Sequence, residues 1–148
     1  MRLLALLLTA VALPLAGCGG SSHGTTLYAG GDWKVVLDGT KATAFHQVAG
    51  AWKPDTSGAV KIRILGPDGS VAPTPQVATE LSAKQPLIES GMWVDGKELL
   101  VKGGGLTSTK GTIYGAPSTP LAKGTHVAVA YARTDTHGTA VAWSFRVG

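Results

Sequence analysis

Residues 120–148 read PLAKGTHVAVAYARTDTHGTAVAWSFRVG, and their alternation decides the fold class. Val127, Val129 and Tyr131 recur at every second position, and so do Val141, Trp143, Phe145 and Val147. A period of two belongs to a half-buried strand, because successive side chains leave a strand on opposite faces. RTDTHG, residues 133–138, supplies the turn between the two runs. The segment is a β-hairpin. Its other positions are His126, Ala128, Ala130, Ala132, Ala140, Ala142 and Ser144, mostly small and apolar where a solvated face carries Thr, Lys, Glu or Arg. Small side chains let another backbone come close. We therefore expect this alanine-rich face to be covered, by another segment of the chain or by a partner. That makes Ala128, Ala130, Ala140 and Ala142 candidate contact positions.

The same grammar extends upstream. Glycine supplies 21 of 148 residues, about twice the usual ~7%, and Asp38-Gly39, Asp68-Gly69 and Asp95-Gly96 each follow an apolar or β-branched run. Asp-Gly favours hairpin turns because glycine accepts positive φ. Nine strands are predicted, near 33–37, 42–48, 60–65, 77–81, 87–94, 99–101, 112–114, 126–132 and 140–147. Only ATELSAK (78–84) has a helical composition, and Pro86 cuts it short. Short strands with regularly spaced turns predict an all-β sandwich, with a small barrel as the alternative. Trp33, Trp93 and Trp143 fall in strand patterns and belong to the core, whereas Trp52 in GAWKPDTSG falls in a predicted loop.

Residues 120–148 also resemble the last two strands of bacterial immunoglobulin-like domains, in Pro120, Leu121, Gly124, Asp135, Gly138, Phe145 and Val147. LIESGMWVDGKEL (87–99) is similar to an earlier strand and turn of those modules. The resemblance implies an immunoglobulin-like β-sandwich of about 7–9 strands, here over residues 28–148. No cysteine pair bridges its sheets, since Cys18 is the only cysteine. WKVVLDG (33–39) and WVDG (93–96) hint at half-repeats, but either half alone is too small for a sandwich, so one domain is expected.

Ahead of Cys18, Arg2 is followed by Leu3 to Ala16, apolar apart from Thr9 and Pro14. As a helix this stretch spans about 21 Å, short of a ~30 Å hydrocarbon core, so it reads as a secretory signal over residues 1–17. Leu15-Ala16-Gly17-Cys18 resembles the lipobox of bacterial lipoproteins. In that family the cysteine receives a diacylglycerol and the signal is removed before it, giving an exported protein held by lipid (palmitate among its acyl chains) on a cell or outer membrane. Several acyl chains, at about 0.8 kcal/mol per buried CH₂, hold a domain where one chain would not. Lipidation also disposes of a lone thiol in an oxidising compartment. Residues 18–27 begin CGGSSHGTT, small and polar, and read as the lipidated cysteine followed by a flexible tether.

The remaining residues exclude several chemistries. Basic residues are scattered singly along the sequence, so a nucleic-acid partner is not expected. No HxxxH, HxH or CxxC pattern occurs, so neither an enzyme nor a bound cofactor is expected. His126 and His137 lie at opposite ends of one predicted strand, about 23 Å apart, too far to share a metal ion. His126 reads as a strand-surface residue and His137 as a turn residue. The Asp-Gly aspartates lack the spacing of a calcium loop. The reading is therefore a non-enzymatic binding or structural module. It is attached to the membrane through Cys18, with an envelope protein or polysaccharide as partner. The alternative is an extracytoplasmic carrier of a metal ion or carbohydrate using His46, His126 or Trp52.

Overall fold

The computed structural model describes residues 24–148; the expected signal peptide and Cys18 lie outside them. The described chain is all-β, with thirteen strands in three sheets. They are β1 (Thr25–Gly30), β2 (Trp33–Asp38), β3 (Lys41–Val48), β4 (Ala51–Pro54), β5 (Val60–Gly66), β6 (Ser70–Val71) and β7 (Val77–Ala83). They continue with β8 (Glu89–Val94), β9 (Lys97–Glu98), β10 (Lys102–Gly104), β11 (Lys110–Gly115), β12 (Gly124–Arg133) and β13 (Gly138–Val147). Eight of the nine predicted strands are present. The ninth, near 99–101, is instead the link between β9 and β10. ATELSA (78–83) is strand: inward Val77, Thr79 and Leu81 alternate with outward Ala78, Glu80 and Ser82, and that pattern overrides helix propensity.

Residues 60–147 form a sandwich of two sheets. The central sheet has the order β6-β13-β12-β8-β9, and the far sheet β10-β11-β7-β5. In chain order this pairs first, second, fourth and fifth main strands in one sheet against third, sixth and seventh in the other, as in immunoglobulin-type sandwiches. Residues 25–54 are not part of it. They form a separate sheet, β1-β2-β3-β4 in sequential order, which packs on the other face of the central sheet. The expected single sandwich beginning at residue 28 is thus a sandwich with a third layer. The expected tether also ends sooner, because Thr25 and Thr26 already pair with Leu37 and Val36.

Register corrects the reading of the last hairpin. Ala128 lies opposite Trp143 and Ala130 opposite Val141, while Val129 faces Ala142 and Tyr131 faces Ala140. Directly opposed residues share a face. The alanines of β12 therefore sit with Val141, Trp143 and Phe145, and those of β13 sit with Val129 and Tyr131. There is no single alanine-rich face. Alternation assigns faces within one strand, but only the pairing relates two strands.

Both faces are covered by this chain. On one, Ala128, Ala130, Met92, Val94 and Phe145 meet Val60, Val77, Leu81 and Ile113 of the far sheet. On the other, Trp93, Val129 and Tyr131 meet Trp33, Val35 and Ala44 of the N-terminal sheet. β3 comes within 8 Å of β13, Cα to Cα, closer than the ~10 Å usual between stacked sheets. Ala42 and Ala44 against Ala140 and Ala142 make that approach possible. At the hairpin tip, Gly138 lies under the Trp33 ring, where an added Cβ would come within 2.7 Å of it.

Candidate functional site

Two ends of the molecule concentrate its polar chemistry, one at each end of β12. Asp95 and Gly96 form the two-residue turn between β8 and β9, with φ of 49° and 79°. Both values are positive, as this type of hairpin turn demands. The turn brings the Asp95 carboxylate to His126. Asp95 Oδ2 lies 2.5 Å from His126 Nδ1, and the Ala122 carbonyl lies 2.6 Å from Nε2. Each partner is an acceptor, so both contacts are made as hydrogen bonds only when the ring carries a proton on each nitrogen. The Asp95 hydrogen bond, then that of Ala122, raise the His126 pKa above its ordinary value despite burial. Asp95 Oδ1 also accepts the Val127 amide at 3.0 Å. His126 is buried, not a strand-surface residue, and has no nitrogen free for a metal or ligand.

The other end is open. Asp55 Oδ1 accepts the Ser57 amide at 2.9 Å, while Oδ2 accepts the Gly138 amide at 2.8 Å and meets His137 Nδ1 at 3.2 Å. Burial pushes the Asp55 carboxyl up, but the hydrogen bonds from Ser57, Gly138 and His137 outweigh it and its pKa is lowered. Thr134 closes the tip, accepting the His137 amide at 3.1 Å and donating to the His137 carbonyl at 3.2 Å. Ser57 Oγ lies 3.1 Å from His137 Nδ1. Ser, His and Asp thus meet, yet hydroxyl and carboxylate share one ring nitrogen. A nucleophilic relay needs the hydroxyl on one nitrogen and the carboxylate on the other. The cluster fastens residues 55–57 to the hairpin tip.

Beside it, His46 Nε2 lies 2.9 Å from Asp32 Oδ2, and its ring stacks on Trp33 at 4.2 Å and 5°. The hydrogen bond to His46 lowers the Asp32 pKa. The Arg133 guanidinium sits 5.9 Å from the Trp33 ring, with its Nε donating to Glu89 at 3.1 Å. His46, Asp55 and His137 border a shallow groove of ≈ 330 Å³. Among the described residues no three His, Cys, Asp or Glu side chains come close enough to hold a metal ion. Next to the groove, Ser57, Lys61, Ser82, Lys84, Gln85 and His137 line a cleft of ≈ 520 Å³.

The sequence-predicted positions fare differently. Cys18 lies outside the described residues. Trp52 is not in a loop: Ala49 and Gly50, with φ of 51° and 81°, turn the chain into β4, which carries it. Its indole is half-buried beneath Lys34 Nζ, 4.7 Å from the ring. Ala128 and Ala130 are wholly buried, and Ala140 and Ala142 are half-buried under the N-terminal sheet, so none offers a free surface. The structure brings His46 to the open end with His137 and leaves His126 at the other. Sequence reasoning missed Asp55, Ser57, Lys61 and Lys84. Only Asp55-Thr56-Ser57 carried a local signal, since Asp two residues before Ser suits a side-chain-capped turn. No protein-family model matches the chain, and none of the curated proteins is significantly similar to it.

Proposed function

We propose that this chain is an exported lipoprotein of the bacterial envelope, with an immunoglobulin-like sandwich that works by binding rather than catalysis. Lipidation at Cys18 would hold it on the membrane and the short tether would give it reach. The observation that supports this reading best is polarity of placement. The described chain enters β1 beside the β8–β9 turn, where Leu27 lies 3.9 Å from the position of a Cβ on Gly96. The cleft lies at the opposite end of β12, by His137. A tether attached at one end presents the other outward, and loop-built ends are where rigid sandwiches carry binding sites. The single shared nitrogen of His137 argues against hydrolytic chemistry. The carrier alternative draws less support, because His126 has both nitrogens engaged and Trp52 is capped by Lys34.

Replacing Cys18 by Ala in cells tests the anchor. Labelled palmitate should appear on the parent protein and not on Cys18→Ala, which should move from the membrane to the soluble fraction. Membrane retention of Cys18→Ala at the parent level would contradict the lipoprotein reading.

A further inference from the structure

The outward face of the far sheet collects charge that the sequence disperses. Lys61 and Lys110 both lie directly opposite Ser82, one from each neighbouring strand. With strands ~4.8 Å apart, their backbones flank Ser82 at about 10 Å from each other on one face. Lys84 follows Ser82 by two residues and joins Lys61 in the cleft lining. Lys102, opposite Tyr114, extends the same face. One rung along, Arg63 is paired with Glu80 at 3.0 Å. Glu80 is the face's single carboxylate; its pKa is lowered first by the hydrogen bond from Arg63, with a smaller contribution from Lys110. Lys61, Lys84, Lys102 and Lys110 form no ion pair among the described residues. Five cations against one carboxylate leave an excess of four on this face. The described chain carries twelve of the thirteen Lys and Arg and all nine acids, an excess of three. The rest of its surface is therefore slightly acidic.

We infer that this face and the adjoining cleft bind an acidic polysaccharide of the envelope, through Lys61, Lys84 and Lys110. The inference rests on the proposed export and anchoring, which narrow the choice of polyanion. Export removes intracellular nucleic acid. The tether would join the described chain on the N-terminal sheet, with the central sheet between that attachment and the basic face, so the attachment does not cover the basic face. Ser57, Ser82, Gln85 and Thr134 add hydroxyl and amide groups suited to sugar hydroxyls. Charge does the attracting, and these groups would set register on the chain.

The test uses the chain from residue 18 onward with Cys18→Ser, so that it carries no lipid. Binding to a carboxylated oligosaccharide (oligogalacturonate) is titrated at low and physiological salt, with a neutral dextran oligomer and phosphatidylglycerol-containing vesicles as the other arms. Oligogalacturonate should bind with a salt-dependent affinity and dextran should not. Changing Lys61, Lys84 and Lys110 together to Gln should weaken binding about tenfold or more, the worth of one charge-assisted contact. Changing Lys41, Lys97 and Lys123 to Gln removes equal charge elsewhere and should alter affinity by about twofold or less, since distant charges are screened. All six lysines are exposed, and matched thermal melts would confirm folding of both variants. No oligogalacturonate binding, equal losses in both triple variants, or tighter binding to the vesicles would each overturn the inference. Because this chain is unlipidated, failure here leaves the Cys18 result standing, and the reverse.

Discussion

The two faces of the central sheet are both buried, but by different means. Toward the far sheet the packing is aliphatic, with Met92, Val94 and Phe145 against Val60, Val77, Leu81 and Ile113, and Trp143 Nε1 donates to the Pro67 carbonyl at 3.1 Å. One polar atom there, Thr79 Oγ1, is buried without a partner among the described residues. Toward the N-terminal sheet the packing is a slab of Trp33, Trp93 and Tyr131 beside a close alanine contact, and two aromatic polar atoms, Trp33 Nε1 and Tyr131 OH, are buried without partners among the described residues. Glu89 Oε1 accepts from Arg133 Nε at 3.1 Å, and burial first, then the charge of Glu89, raises the Tyr131 pKa. The first interface makes the sandwich. The second adds a cover to a face that such a sandwich otherwise leaves open, at the cost of two unmade hydrogen bonds.

The largest expected effect breaks the first interface. Ala130→Lys places an unpaired ammonium in the fully buried space between central and far sheets and should abolish cooperative unfolding, a loss of about 5 kcal/mol or more. Circular dichroism through a thermal melt would show it, and a native-like melt would mean that Ala130 does not face the far sheet. Trp33→Ala attacks the second interface and should cost about 3–5 kcal/mol by denaturant titration, with loss falling on the N-terminal sheet.

Smaller effects come from the two ends of β12. A raised histidine pKa contributes stability that is complete below the unfolded value of about 6.5 and is lost as pH rises through the folded value. The lowered Asp55 pKa works oppositely, stabilising above the unfolded carboxyl value of about 3.9 and failing as pH falls through the folded value. The melting temperature should therefore peak between about pH 5 and 6.5. His126→Gln should cost about 2 kcal/mol at pH 6 and flatten the alkaline decline, while Asp55→Asn should flatten the acid one. An unchanged alkaline limb in His126→Gln would remove the imidazolium from the account. Tyr131→Phe should be smallest, within about 1 kcal/mol of the parent by the same melts, because it deletes a hydroxyl with no hydrogen-bond partner among the described residues.

Strand positions were legible because alternation is local: the hairpin at 124–147 and the Asp95-Gly96 turn follow from adjacent residues. The three-sheet partition was not. Residues 33–48 alternate as well as any strand of the sandwich, and nothing in their pattern says which sheet they join. Trp52 reads as a loop residue because its turn uses Ala49 at positive φ, where glycine or asparagine is the usual signal. The basic face was hidden for the same reason as the sheets. Lys61, Lys84 and Lys110 lie far apart in sequence, and only strand pairing makes them neighbours. Likewise His126 meets Asp95 across 31 residues.

The most direct test of the three-layer account is amide hydrogen exchange on Ala142→Lys, which puts a charge beneath the N-terminal sheet and leaves the far-sheet side of the sandwich untouched. Amides of β1–β4 should lose protection while those of β7, β8, β11 and β12 keep it. Uniform loss across all strands, or unchanged protection in β1–β4, would contradict a cover resting on a separately packed sandwich.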